Sequence, residues 1–289
     1  MGFLKKLRLL FACLAVAGAA RAAGPRPHLI SLAPSLTEIV FAIGAGDALV
    51  GVTDHCRYPP EALARPKIGG YQTPSLETIM ALRPDLLLTL AEHAPIHAAL
   101  DSLGLKYEVF DHRSLPGLLA SFARLGEICS AAGKAGELER ELAEAFRAPT
   151  DKNRVRPSLL VLLGRSYGQG GIANAYAIGK DRLYDRLIAA AGCRNAYQGD
   201  LAYPVLSTEG VAAMNPDIIA EITYAEMGSD LPAETLLRDW EGIPNLKAAR
   251  NRRVFVIRAD YALIPGPRLI LFKRDLLDIV RRSGLAGAP

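Results

Sequence analysis

The chain reads as an α/β protein of two lobes, each a central and mostly parallel sheet flanked by helices, joined by a single long helix. Three observations predict this. Short apolar runs alternate with longer amphipathic ones in both halves, the rhythm of strand–helix–strand units. A strongly charged helical stretch separates the halves. One pattern also recurs in both halves without gaps: Ser75-Leu-Glu77-Thr-Ile-Met-Ala-Leu-Arg-Pro84-Asp85-Leu-Leu aligns on Ser207-Thr-Glu209-Gly-Val-Ala-Ala-Met-Asn-Pro216-Asp217-Ile-Ile. Each copy reads as a Ser N-cap, a Glu in the first turn, an apolar helix, a Pro-Asp stop and an apolar strand.

In chain order, His28 to Leu32 predicts a strand, and Ser35-Leu-Thr-Glu38 a capping box opening a helix. Leu49 to Thr53 is a strand. Pro74 to Glu77 opens a helix that stops at Arg83-Pro84. Asp85 to Leu90 is a strand, Pro95 to Leu103 a helix, and Lys106 to Phe110 a strand. Leu115 to about Asn153 is helical in composition, charged from Gly136 to Phe146 as a solvated helix should be. The rhythm restarts with a strand at Ser158 to Leu163. Lys180 to Ala191 and Ser207 to Met214 are helices, Asp217 to Ile222 and Val254 to Ile257 strands, and Pro267 to Arg282 the closing helix. The expected organisation is 1–23 leader, 24–132 first lobe, 133–153 linker helix and 154–289 second lobe.

The 289 residues suit two domains of about 130 each. Half the residues are apolar, which excludes global disorder. The formal charge of +4 comes wholly from Lys5, Lys6, Arg8 and Arg21; the rest carries 30 groups of each sign. A neutral body has no electrostatic footprint for nucleic acid. Residues 1–23 have a basic start, an apolar run from Leu9 to Ala20 and an Ala20-Arg-Ala22 cleavage pattern, as in a secretory signal peptide. The run is too short to span a bilayer, which takes about 20 helical residues. Export to the periplasm is expected. Cys56, Cys129 and Cys193 then remain, an odd number that leaves at least one thiol free. Cys129 and Cys193 lie in apolar stretches; Cys56 lies in a polar turn.

In open parallel sheets, ligands meet the loops at the carboxyl ends of the strands. In the first half those loops carry Ser35, Asp54-His55-Cys56-Arg57-Tyr58, Gly70-Tyr71-Gln72, Glu92-His93 and Asp111-His112-Arg113. In the second they carry Arg165-Ser166-Tyr167, Tyr176, Tyr203, Tyr224 and Asp260-Tyr261. Seven of the ten Tyr follow residue 157. Walls of Tyr, His and Arg suit a large, flat ligand with polar edges. His93 and His97 have helical zinc spacing, but Pro95 between them starts the helix and separates their settings. His55, Cys56, Tyr71 and His93 remain candidates to ligate a metal carried within a larger molecule.

Gly164-Arg-Ser166-Tyr-Gly168 follows a strand as a nucleophile elbow would. That mechanism needs a later His, and the last is His112, which argues against an exported hydrolase. An exported metallochaperone is a further alternative. Glu77 and Glu209 admit two readings. Each is favoured in a first helical turn by about 0.3–1 kcal/mol through the helix dipole. As a pair, one per lobe, they also suit docking on two basic pockets of a partner.

Several segments resemble one family. Ile30-Ser-Leu-Ala-Pro-Ser-Leu-Thr-Glu38, Gly44-Ala-Gly46-Asp47, Val50-Gly-Val-Thr53, Tyr58-Pro-Pro60, Gly69-Gly-Tyr71, Ser75-Leu-Glu77 and Leu82-Arg-Pro-Asp85 are similar to the cobalamin-binding periplasmic proteins. These are substrate-binding components of ABC importers of the helical-backbone class, with relatives that bind haem or ferric siderophores. The resemblance runs from about Pro27 to Arg282. It implies ligand held between two lobes with little hinge motion, no catalysis, and a monomer that serves a permease and ATPase in the inner membrane. It implies that Glu77 and Glu209 dock on permease arginines. It places His55, Tyr71, Tyr176, Tyr203 and Tyr261 at the ligand, to which the strand-end loops add Ser35, Arg57, His93 and Arg165 as candidates, with cobalamin or a related corrinoid expected first. For haem, Tyr71 takes the iron; for a ferric siderophore, Arg57, Arg113 and Arg165 are available. The only Trp, Trp240, matches none of the family's aromatic positions.

Overall fold

The structure is a computed structural model that describes residues 26–150, 155–167, 172–223 and 231–285. The leader with its cleavage pattern, Gly168, Tyr224 and the end of the expected linker lie outside these residues. The first sheet has four parallel strands in the order β2-β1-β3-β4: β1 (Leu29–Ser31), β2 (Leu49–Val52), β3 (Leu86–Leu90) and β4 (Tyr107–Phe110). Helices α1 (Pro34–Ala42), α2 (Leu76–Ala81) and α3 (Ala94–Ser102) connect them. The second sheet has six strands: β5 (Ser158–Ser166), β6 (Ala173–Ala177), β7 (Arg194–Asn195), β8 (Val205–Leu206), β9 (Ile218–Thr223) and β10 (Val254–Arg258). Its order is β10-β9-β5-β6-β8, with β7 beside the start of β5. β10, β9 and β7 run parallel to their neighbours, whereas β6 and β8 are antiparallel.

The repeat seen in sequence is one repeated structure. Ser75 and Ser207 each accept a hydrogen bond from the N–H three residues on, at 3.2 Å, capping α2 and α7 (Thr208–Met214). Arg83 and Asn215 each take a left-handed conformation at the helix end. Asp85 and Asp217 each accept from the N–H that starts the sheet's central strand, His28 at 2.7 Å and Ser158 at 2.9 Å.

Three local expectations are corrected. Ser35-to-Glu38 is no capping box: α1 starts at Pro34, Ala33 is its N-cap, and no side chain caps it. Ser35 and Glu38 are buried inside the helix with long-range partners instead. The expected helix from Lys180 shortens to α6 (Tyr184–Ala190), because Asp181 holds the N–H groups of Leu183 and Tyr184 in a turn. The helical span between the lobes is two helices, α4 (Leu115–Ile128) and α5 (Ala132–Ala145). Ser130 at φ 54° closes α4, with Ala131 N–H reaching back to the Gly126 carbonyl. Gly126 also lets α5 approach: a Cβ there would lie 2.6 Å from that of Ala135.

The 14-residue α5 is about 21 Å long. It packs on α4 and on the closing helix α10 (Leu269–Arg282). One apolar core runs without a break from Leu29, Leu36 and Phe122 through Leu142 to Leu159, Leu187 and Phe272. The lobes are thus fused through buried side chains rather than hung on a loose joint. No helix among the described residues is long and apolar enough to cross a membrane.

Candidate functional site

A cavity of about 560 Å³ opens between the lobes at the carboxyl ends of the strands. The first lobe contributes Ala33, Pro34 and Ser35 from the β1–α1 junction, His55 after β2, Tyr71, and Leu90 and Glu92 after β3. The second lobe contributes Tyr184 from α6, Tyr203 before β8, and Leu263, Ile264 and Pro265 before α10. The walls are phenols and apolar groups around one carboxylate, one serine and one imidazole. No Lys or Arg lines them. The undescribed segments 168–171 and 224–230 hold no Lys or Arg either.

The polar groups of the first lobe are tightly placed. Tyr71 Oη donates to Glu92 Oε1 at 2.7 Å. Burial and that carboxylate raise the Tyr71 pKa. The Tyr71 ring lies tilted against the His93 imidazole, centroids 4.6 Å apart. His93 Nδ1 accepts from the Leu90 N–H at 2.9 Å, so Nε2 carries the proton of the neutral ring. Burial keeps it neutral by lowering its pKa. Ser35 is 1 % exposed, and its hydroxyl sits 2.8 Å from His112 Nδ1. His112 Nε2 meets Ser121 Oγ at 3.0 Å, and that hydroxyl gives its own proton to the Gly117 carbonyl. On the second lobe, Tyr203 Oη donates to Asp181 Oδ2 at 2.7 Å, and Tyr184 is buried edge-on against Phe272.

The cavity thus brings together Ser35, His55, Tyr71 and Tyr203 of the residues expected at the ligand. The others stand elsewhere. Arg165 is buried in the second lobe, bonded to Glu221 at 2.9 Å, Asp239 at 2.7 Å and the Leu236 carbonyl, and stacked on Tyr167. It is a core ion pair, and β5 runs straight through Ser166, so no nucleophile elbow forms. Tyr261 donates to Asp275 at 2.7 Å and lines a different groove, beside β10 and α10. Tyr176 is half exposed on β6 and Arg57 is exposed; neither lines the cavity.

Two metal candidates are corrected. Cys56 is fully buried, between the hydroxyls of Thr37 at 3.1 Å and Thr53 at 3.2 Å, and burial raises its thiol pKa. His93 has Nδ1 occupied and a proton on Nε2, so neither nitrogen offers a lone pair. Among the described residues no cluster of three or more His, Cys, Asp or Glu could hold a metal ion.

Sequence reasoning passed over Glu92, Tyr184 and Leu263-to-Pro265. Glu92 was visible as a loop residue after a strand. Tyr184 looked like ordinary helix, and only tertiary contact brings the apolar loop before α10 to the cavity. Glu77 and Glu209 are exposed in the first turns of the two repeated helices. Hydrogen bonds from its own N–H and from Ser207 lower the Glu209 pKa.

Comparison with known proteins agrees with this architecture. A Vibrio cholerae vitamin B12-binding protein is 26% identical over 247 residues, covering 85% of this chain and 86% of its own. An ABC transporter substrate-binding lipoprotein of Bacillus subtilis is 25% identical over 264 residues, covering 87% and 79%. Among solved structures, the periplasmic haem-binding protein BhuT in complex with two haems superposes with a TM-score of 0.71 at 27% identity, covering 90% of this chain and all of that one. The periplasmic binding protein family profile matches residues 29–261, and the chain belongs to that family, which is one of solute-binding proteins rather than of enzymes.

Proposed function

We propose that this protein captures cobalamin or a related corrinoid in the cavity between its lobes and delivers it to the permease of an ABC importer. The observation that carries the choice is the wall chemistry. A corrinoid is a broad macrocycle edged with neutral carboxamides, and the cavity offers phenols, prolines and aliphatic side chains with one serine, one imidazole and one carboxylate, and no Lys or Arg. A haem carries two carboxylates, which such walls do not neutralise. Arg113, near the rim, is bonded to Asp111 at 2.9 Å.

The protein acts in the periplasm, reached through the leader at 1–23, and works as a monomer. Glu77 and Glu209 dock on the permease, which with its ATPase pulls the lobes apart for release. Their exposure at matching places in the two repeats supports this role. Haem is the second reading, favoured by one observation: the Tyr71 hydroxyl reaches the cavity wall, where a phenolate could take iron. Calorimetric titration of residues 24–289 with cyanocobalamin tests the first reading. Saturable one-to-one binding at micromolar affinity or better supports it. No binding, with tight haemin binding that Tyr71→Phe abolishes, replaces it with the second.

A further inference from the structure

The protons of two cavity phenols are already committed. Tyr71 gives its proton to Glu92 at 2.7 Å, and Tyr203 gives its own to Asp181 at 2.7 Å. Ser35 shares a 2.8 Å hydrogen bond with His112 Nδ1, whose sense follows the tautomer of the ring. The Tyr71 and Tyr203 oxygens therefore offer the cavity lone pairs only. Glu92 is exposed, and its Oε2 takes no hydrogen bond from the described residues. Pro34 and Pro265, also in the lining, have no N–H to offer. Tyr184 is the one cavity phenol with no hydrogen bond to a carboxylate. The donors in the lining are the first turn of α1, with one fewer because of Pro34, the Tyr184 hydroxyl and a ring N–H of His55.

We infer that the cavity selects its ligand by hydrogen-bond sense, with Glu92 as the specificity-determining residue: it takes chelates whose rim donates, as primary carboxamides do, and rejects those whose rim carries carboxylates. This rests on the reading that the cavity is the ligand site, and it deepens that reading. A carboxamide supplies two N–H donors to the free Glu92 oxygen and the phenol lone pairs. A carboxylate in the same place brings a second negative charge against Glu92 and lone pairs against lone pairs. The asymmetry is sharp because a polar group left unpaired in a dry contact costs its full desolvation.

The test uses cyanocobalamin, the set of its monocarboxylic acids in which one rim carboxamide is hydrolysed, and haemin, titrated at pH 7.5 into the wild-type chain and into Glu92→Gln. The expected wild-type result is at least tenfold weaker binding of at least one monoacid, with haemin weaker still. Glu92→Gln supplies an N–H in place of a charge and should narrow the ratio of cyanocobalamin to monoacid affinity at least threefold. Equal affinity for every monoacid, haemin as tight as cyanocobalamin, or a gap unchanged by Glu92→Gln overturns the inference while the corrinoid reading stands. Wild-type protein that binds no corrinoid overturns the corrinoid reading itself, and the inference with it. The wild-type arm decides alone if the variant does not fold.

Discussion

Glu38 and Arg268, 230 positions apart, meet in a two-pronged ion pair that ties the first lobe to the second. Nε to Oε2 is 3.0 Å. Arg268 also bonds both Asp260 oxygens, at 2.9 and 3.2 Å, and its guanidinium lies 4.1 Å from the Tyr58 ring centroid. Glu38 is one helical turn from Ser35, and the pair lines a separate pocket beside Tyr58 and Phe41 rather than the inter-lobe cavity. Arg268→Ala strands a buried carboxylate and should cost about 3–5 kcal/mol in urea unfolding. The Glu38→Ala, Arg268→Ala double variant should lose clearly less than the sum of the singles. Strict additivity would mean the two charges do not stabilise each other.

Acid should weaken the protein through His112. Burial pushes its pKa down to about 4, against about 6.5 in an unfolded chain. The stability it confers is therefore complete above about pH 6.5 and is lost as pH falls toward 4. The full loss is about 3 kcal/mol. Urea unfolding across this window should show a steeper fall for wild type than for His112→Gln, whatever the variant's starting stability. Parallel curves would place the acid sensitivity elsewhere.

The three thiols should be silent. Cys56, Cys129 and Cys193 are buried, and burial raises the pKa of the first two. A chain beginning at residue 24 should show no fast reaction with a thiol reagent when native and three equivalents when unfolded. Rapid native labelling of Cys56 would contradict its placement between Thr37 and Thr53.

Docking is separable from capture. Charge reversal at both Glu77 and Glu209 should abolish ligand transfer to the permease in a reconstituted importer while leaving ligand affinity within about twofold. These acids are exposed and outside the cavity lining, so an equal fall in affinity would assign them to the fold or the site instead.

The sequence by itself determined what depends on neighbours along the chain. Alternating apolar runs predicted the four strands of the first sheet and β5, β9 and β10 of the second to within a few residues, but not the short β6, β7 and β8; the Ser–Glu–Pro–Asp repeat predicted two matching caps and stops, because these use hydrogen bonds over three or four residues. It also identified Ser35, His55, Tyr71 and Tyr203, since loops at strand ends face a cleft by topology. Tertiary structure decided the rest. Arg165 left the expected site because Glu221 and Asp239, 56 and 74 residues away, offered two carboxylates in the core. Ser35 and Glu38 looked like a local cap, but burial demanded partners, found in His112 and Arg268. Hydrogen-bond sense in the cavity was invisible beforehand for the same reason. A residue's type says that it carries a proton, and only its distant neighbours decide where that proton points.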